Sequence, residues 1–326
     1  MIHARDSILV TGGAGFVGSH FARAAHDAGS RVTVLDDLSA GAQPSLPAAI
    51  EVVRGDVADR KLVARMIQDR GITSCAHFAG VICVGESVTD PAKYFDRNVV
   101  RTLALLDAVR DRGLPFLFSS TAAVYGMPEE VPIPEAAHLS PINPYGDSKL
   151  AIERALTAYG TAYGMRWGAL RYFNAAGAHP DGSLRESHDP ETHLIPLVID
   201  AALGRRPPLS VFGDDYPTRD GTCVRDYVHV CDLATAHLAA LDALDGGHAV
   251  GAVNLGSANG FTVREVLDEA ARVLGTPIPH SIGPRRAGDP PVLLASNARA
   301  SKLLAWRPVR SEIGVVIEDA VRSRQK

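Results

Sequence analysis

A doubly wound α/β fold, built on a parallel sheet and followed by a smaller mixed α/β region, is predicted by three features of this sequence. From Ser7 to about Ser120, short apolar runs alternate with longer helical stretches, the pattern of successive βαβ units. A glycine-rich turn joins the first apolar run to the first helix. After Asn174 the texture changes, with denser Gly and Pro and shorter elements. We therefore expect one domain over 1–173 and a second, mainly ligand-binding, over 174–326, with segments near 213–247 able to pack back on the first.

The expected strands are SILVTG (7–12), RVTVLD (31–36), IEVVRGD (50–56), TSCAHFAG (73–80), LPFLFSS (114–120) and MRWGALRYF (165–173). Between them, helices are expected over 16–29, 59–70 and 91–112, the last opening with Asp90 as cap and Pro91 in the first turn. Prolines 128, 132, 134, 141 and 144 forbid regular helix over 127–144 and mark a surface loop. A helix follows from Pro144 to about Tyr163. Beyond the boundary we expect helices over 192–203, 229–244 and 262–274, and strands near 209–212 and 252–255.

Composition narrows the function classes. With 326 residues, 46% of them hydrophobic, the chain can bury a large core. A net charge of −4 from 33 basic and 37 acidic residues offers no field for nucleic acid or an anionic membrane, so small molecules or further copies of the chain are the expected partners. No apolar stretch has secretory or membrane-spanning length, which predicts a cytoplasmic protein. The four cysteines lack metal or disulfide spacing, and His188 with His193 lacks a third ligand at recognisable spacing, so no metal is expected.

TGGAGFVGSH follows the first strand and sets Gly12, Gly15 and Gly18 in the spacing GxxGxxG. The first two let the backbone turn and approach a pyrophosphate, the third lets helix and strand pack closely, and the helix N-terminus supplies N–H groups. The second strand ends in Asp36, where a carboxylate can accept from both hydroxyls of an adenosine ribose and would repel a 2′-phosphate. This is a Rossmann-type arrangement that favours NAD over NADP. Asp56, after the third strand, is a candidate for the adenine or for a turn cap.

Tyr145 and Lys149 stand four apart at the start of a helix and so share one face. A free phenol, with a pKa near 10, is no base at neutral pH, but a nearby ammonium and an oxidised nicotinamide both favour its phenolate. The hydroxyl-rich run Ser119-Ser120-Thr121 ends the fifth strand, where ligands sit in such sheets. The set is a candidate acid–base centre.

With these features, and with HFAGVICVGESV (77–88), FSSTAAVYG (118–126), NPYGDSK (143–149), LRYFNAAGAHPDG (170–182), FGDDYPTRDGTCVRDYVHVCDLA (212–234), NLGS (254–257) and PRRAGD (284–289), the sequence resembles the extended short-chain dehydrogenase/reductase family. Within it, the resemblance is to the 4-epimerases of UDP-glucose and UDP-galactose. It implies a tightly bound NAD, a UDP-sugar substrate, a transient 4-keto intermediate, and a homodimer packed through the 91–112 and 144–163 helices.

For site residues, the resemblance implies Tyr145 as base, Thr121 as proton-transfer partner, and Lys149 as the group that holds the nicotinamide ribose and lowers the phenol's pKa. Gly12, Gly15, Phe16, Val17 and Gly18 would line the pyrophosphate end of NAD, with Asp36, Asp56 and Val57 at the adenosine. Phe78, Ala79, Gly80, Asn98, Ser119 and Tyr172 would line the remainder. For the nucleotide sugar it implies Asn174, Leu194, Arg225, Arg286 and Asp289. Arg225 and Arg286 suit diphosphate oxygens by their planar forks, unless they spend that charge on Asp226 or Asp289.

The sequence departs from the family at four positions. Asp37 stands where many relatives carry Asn, and a second carboxylate there is expected to exclude NADP more firmly. Ile82 replaces a cofactor-binding Lys, and His193 replaces an Asn that contacts the sugar nucleotide, where it is expected to remain a ligand contact. Leu293 is intermediate between a Tyr that restricts the site to plain hexoses and a small residue that admits an N-acetyl group. N-acetylhexosamines are therefore alternative substrates, and UDP-pentoses are another alternative because their C4 chemistry is identical and only contacts to C6 differ. A non-catalytic NAD-sensing protein is a third reading, and elimination chemistry is disfavoured because Ala122 and Ala123 follow Thr121.

Overall fold

The computed structural model describes residues 7–39, 46–188, 190–257, 259–286 and 289–325. Ala287 and Gly288 of the PRRAGD motif lie outside them. The first half runs β1 (Ile8–Thr11), α1 (Phe16–Asp27), β2 (Val32–Asp36), β3 (Glu51–Arg54), α2 (Arg60–Arg70), β4 (Ser74–His77), α3 (Val84–Thr89), α4 (Pro91–Tyr94), α5 (Arg101–Arg110), β5 (Phe116–Thr121), α6 (Pro144–Tyr163) and β6 (Trp167–Tyr172). The second half runs β7 (Asn174–Ala176), α7 (Leu194–Ala202), β8 (Leu209–Phe212), β9 (Val224–His229), α8 (Val230–Asp245), β10 (Gly251–Leu255), β11 (Gly260–Thr262), α9 (Val263–Leu274), β12 (His280–Gly283), β13 (Val292–Leu293), α10 (Ala298–Leu304) and α11 (Ile313–Gln325).

Seven parallel strands in the order β10-β6-β5-β4-β1-β2-β3 form the main sheet. Its central strands are buried on both faces: every residue of β1, β4 and β5 is buried. That is why none of them alternates apolar with polar residues along its length, as a strand with one wet face does. Phe21 of α1 and Leu233 and Leu241 of α8 cover one face, while Val63 and Ile67 of α2, Leu105 of α5 and Ile152 and Leu156 of α6 cover the other. The chain winds one way from β1 to β3 and the other from β4 to β6, so the order reverses between β1 and β4. Ligands bind in such sheets in the crevice beyond the carboxyl ends of the strands at this reversal.

Two segments of the second half return to the main sheet: α8 packs across it, and β10 pairs with β6 as its edge strand. The rest forms a four-stranded sheet, with β9 pairing β11, β13 and β7, and a two-stranded β8–β12 sheet. Helices α7, α9 and α11 pack together through Val198, Ile199, Val266, Ala270, Val316 and Ile317.

The expected helix over 91–112 is not continuous. A separate turn, α3, precedes it, Asp90 caps α4 by accepting from the Lys93 N–H (3.2 Å), and a π-helical stretch, Phe95–Val100, joins α4 to α5. The wide turn coincides with Asn98, which is buried and tied to the chain after β4, and such bulges recur at functional sites. Helices α10 and α11 and the short strands β7, β11, β12 and β13 were not expected. The strands are two to four residues long, too short to carry a period. In α11 the signal was present, since Val316, Ile317, Ala320 and Val321 fall on one helical face and are all buried.

Candidate active site

Three loops meet at the reversal. Gly12 adopts φ +70°, and a Cβ there would lie 2.3 Å from the backbone nitrogen of Ala79. A Cβ on Gly18 would lie 2.2 Å from the carbonyl oxygen of Gly12. No side chain fits either place, so the turn after β1, the start of α1 and the chain after β4 form a bare backbone cradle of the kind a pyrophosphate requires. At the rim, the Asp36 carboxylate accepts from the Ala14 N–H through Oδ2 and from the Leu38 N–H through Oδ1, both at 2.9 Å. Those bonds fix its direction and leave lone pairs for ribose hydroxyls. Leu38 itself has φ +59°, a strained setting for a branched residue.

Asp37, the second carboxylate after β2, is ion-paired. Arg97 Nη1 lies 2.7 Å from its carboxylate. Against the upward pull of burial, Ser39 and Arg97 hold the Asp37 carboxyl below its ordinary value. A carboxylate so paired would add less repulsion toward a 2′-phosphate than a free one. Asp56 is ion-paired with Arg101 and accepts from the Ala58 N–H (2.9 Å), so it combines a turn cap with a charge partner.

Thr121 ends β5, and Tyr145 opens α6, whose start is pinned by Asn143 accepting from the Gly146 N–H (2.9 Å). A Cβ on Gly146 would meet the Ala123 carbonyl at 2.7 Å, so this glycine allows the helix to start against the turn that carries Thr121. The Thr121 hydroxyl, which accepts from the Ala123 N–H (3.1 Å), also acts on the Tyr145 phenol and pulls its pKa downward. Lys149, one turn on, is buried, donates to the Ser119 carbonyl at 3.0 Å and stands 4.9 Å above the Phe118 ring. Burial pushes its ammonium down to about 8.

Lys149 and an oxidised nicotinamide together are expected to lower the phenol. Instead burial raises the Tyr145 phenol above its ordinary value, and the Thr121 bond only opposes that. The reason is desolvation: a buried phenolate loses more from water than one hydrogen bond restores. Gly80 bounds the same space, and a Cβ there would lie 2.8 Å from Asn98 Oδ1 and 3.6 Å from Lys149 Nζ. Asn98 brackets the Val81 backbone, accepting from its N–H (2.8 Å) and donating to its carbonyl (3.0 Å), and donates to Ser148 of α6 (3.0 Å). Tyr172 is hydrogen-bonded to Ser119.

Residue-by-residue reading did not anticipate the layer beneath. Arg171 of β6 pairs with Glu153 of α6, both almost fully buried, and Ser120 donates to the same carboxylate (2.5 Å). Arg171 also donates to the Tyr125 hydroxyl (2.8 Å), which donates in turn to Asn254 (2.7 Å). Glu153 stands one helical turn beyond Lys149, a spacing that could have marked it.

On the second-half side, Arg225 of β9 donates to Asp289 (2.5 Å) and to the carbonyls of Val224 (2.8 Å) and Pro290 (3.0 Å). Arg286 is exposed and stacks its guanidinium 4.1 Å over the Phe212 ring. Asn174 donates to the Asp226 carbonyl (2.9 Å), and Leu293 pairs in register with Arg225. Leu194 opens α7. His193, just before it, does not stand alone: it lies within 3.0 Å of Glu186 and Glu191, with His188 beside it. Against the downward pull of burial, the two carboxylates raise His188 to about 9 and His193 to about 10.

A bare glycine cradle, a ribose-directed carboxylate and a Thr-Tyr-Lys set at one sheet reversal define a Rossmann-type dinucleotide enzyme. A family model, the NAD dependent epimerase/dehydratase family, matches residues 8–256, and the chain belongs to that family. It is 49% identical over 311 residues to the UDP-glucose 4-epimerase of Streptomyces lividans, covering 94% of this chain and 93% of that one. It is 47% identical over 315 residues to that of Lacticaseibacillus casei, covering 96% and 95%. The crystal structure of UDP-glucose 4-epimerase from Brucella ovis in complex with NAD superposes with a TM-score of 0.95 at 46% identity, covering 97% of this chain and 98% of that one.

Asp36→Ala is expected to weaken NAD binding by roughly 10- to 100-fold, the worth of hydrogen bonds to a charged group, and to narrow the preference over NADP. The ratio of the two dissociation constants checks this, and an unchanged ratio would remove Asp36 from the ribose.

Proposed function

We propose that this chain interconverts UDP-glucose and UDP-galactose by inverting C4 of the hexose. The observation that carries the reading is the Thr121–Tyr145–Lys149 set at the carboxyl end of β5, beside the glycine cradle. NAD, held by that cradle and by Asp36, would supply the site that accepts the C4 hydride and returns it, with no net redox change. Tyr145 takes the C4 hydroxyl proton, with Thr121 sharing the hydrogen bond through which it moves, and a 4-keto sugar results. The planar ketone turns about its link to UDP and offers its other face. Tyr145 then returns the proton, and the centre is inverted.

Lys149 has a second task. Its buried ammonium leaves N–H donors beyond the Ser119 carbonyl for the nicotinamide ribose. Since burial lifts the Tyr145 phenol in the protein alone, the phenolate depends on positive charge added beside it, and both the ammonium and an oxidised nicotinamide provide that. Arg225, pre-aligned by Asp289 and two carbonyls, and Arg286, which is exposed, are the diphosphate clamps. Asn174, His193, Leu194 and Leu293 would border the sugar nucleotide. In this division residues 1–173 hold the dinucleotide and 174–326 mainly the UDP-sugar, and the four free thiols suit the cytoplasm. No helix among the described residues is long and apolar enough to cross a membrane.

A homodimer through the α3–α6 face completes the proposal. On the 91–112 segment of that face Phe95 and Val100 are 42% and 59% exposed, apolar surface that a second copy would cover. Sedimentation should give twice the 34.5 kDa chain mass and one chain mass for Phe95→Asp/Val100→Asp, whereas a monomeric parent protein would contradict it.

Tyr145→Phe should keep NAD and UDP-sugar binding yet lose roughly 10²–10⁴-fold in the rate of UDP-galactose conversion. Near-normal turnover would rule out the phenol as acid–base.

A further inference from the structure

The segment that enters α7 gathers four metal-type ligands, of which only His193 has a place in the reading above, at the border of the sugar nucleotide. His193 Nδ1 lies 2.9 Å from Glu186 Oε1 and 3.0 Å from Glu191 Oε1. His188 Nδ1 lies 3.4 Å from Glu186 Oε1 and 3.6 Å from Glu191 Oε2. One ligand atom from each residue falls within 4.8 Å of all the others. Around a tetrahedral ion with bonds of about 2.0–2.1 Å, ligand atoms stand about 3.3–3.4 Å apart, and with Oε2 as the Glu191 ligand the three separations that apply, 2.9, 3.4 and 3.6 Å, bracket that length.

A second observation points the same way. His188 Nδ1 and Glu191 Oε2 are shut off from solvent and have no hydrogen-bond partner, although they face each other. Buried polar atoms are almost always satisfied, and their spacing is too long for a hydrogen bond but suited to sharing one ion. Glu186 is 5% exposed, so its carboxylate is committed to this cluster.

We propose that Glu186, His188, Glu191 and His193 form a closed, four-coordinate site for a divalent cation of the zinc type. Two imidazoles argue against magnesium or calcium, which take oxygen ligands, and two carboxylates argue against cuprous copper. The carboxylates balance the ion's two charges. The nearby cation, Arg324, approaches Glu191 only to 3.9 Å and bonds to Asp200 at 3.0 Å, so its charge is largely spent elsewhere. With all four protein ligands taken, no position stays open for substrate, and the role is structural. The ion would fix the turn in which Glu191 accepts from the N–H groups of Thr192 (2.9 Å) and His193 (3.0 Å), and so set the start of α7, where Leu194 borders the proposed sugar-nucleotide site.

The test uses the full NAD-loaded chain, stripped with EDTA, incubated with zinc chloride and desalted before elemental analysis. About one zinc per chain should be retained, with a rise in Tm that magnesium chloride does not reproduce. Glu186→Gln/His188→Ala should retain none and show no rise, and circular dichroism of that variant should match the parent. Because His193 also borders the substrate in the reading above, it is left intact in the variant. No zinc on the parent, or equal zinc on parent and folded variant, would reduce the cluster to an ion-pair network. If the variant fails to fold, His188→Ala alone is assayed for the same loss.

Discussion

A charged ammonium in a place without water is the constraint on which the centre of this protein turns. Lys149 is 3% exposed, and its ordinary tendency there is to shed its proton, as its fall to about 8 records. Near neutral pH it stays charged because the Ser119 carbonyl and the face of Phe118 partly replace water. The arrangement does not stabilise the fold, since a folded-state value below the unfolded one means charge burial costs free energy at neutral pH, and this cost fades only as pH rises above about 8. It stores a positive charge beside Tyr145, whose phenol is itself lifted by burial. Two groups that each resist the charged state stand four residues apart on α6, and in the proposed reaction the charge on one would favour the charge on the other.

Such a pair holds its geometry only if the strand and helix that carry it cannot slide. Beneath it, Arg171 and Glu153 tie β6 to α6, with Ser120 of β5 on the same carboxylate. Removing either ion alone would leave a buried charge unpaired, at a cost of about 3–5 kcal/mol, so the pair acts as a register lock more than as a source of stability. Asn98 performs the matching task on the cofactor side by joining the chain after β4 to Ser148 of α6. The π-helical turn that carries Asn98 is an irregularity in the service of that contact.

How much was legible in the sequence follows from the range of each signal. Apolar runs, GxxGxxG and the Tyr-Lys spacing are local, and β1 to β6, α1, α2 and α6 were placed by them with ends off by a few residues. The reversal in strand order, which makes the cleft, was implied by the fold class. Pairings across the chain were mostly not legible: Arg97 with Asp37 and Arg101 with Asp56 join residues far apart in sequence, whereas Arg225 with Asp289 was named only as an alternative to a diphosphate contact, and each pair alters the charge a ligand would meet. His188 and His193 looked like loop histidines because their carboxylate partners, though nearby in the chain, follow no recognised metal spacing. The C-terminal strands were missed because pairing with β8 and β9, not their own composition, makes them strands.

The central claim, that Lys149 and the dinucleotide together hold Tyr145 as a phenolate, is tested most directly by ultraviolet difference titration of the NAD-loaded protein against Tyr145→Phe. A phenol ionising well below the ordinary value near 10 in the parent, and moving back upward in Lys149→Met, is the result the account predicts. An ionisation at or above 10 in both, with turnover intact, would contradict it.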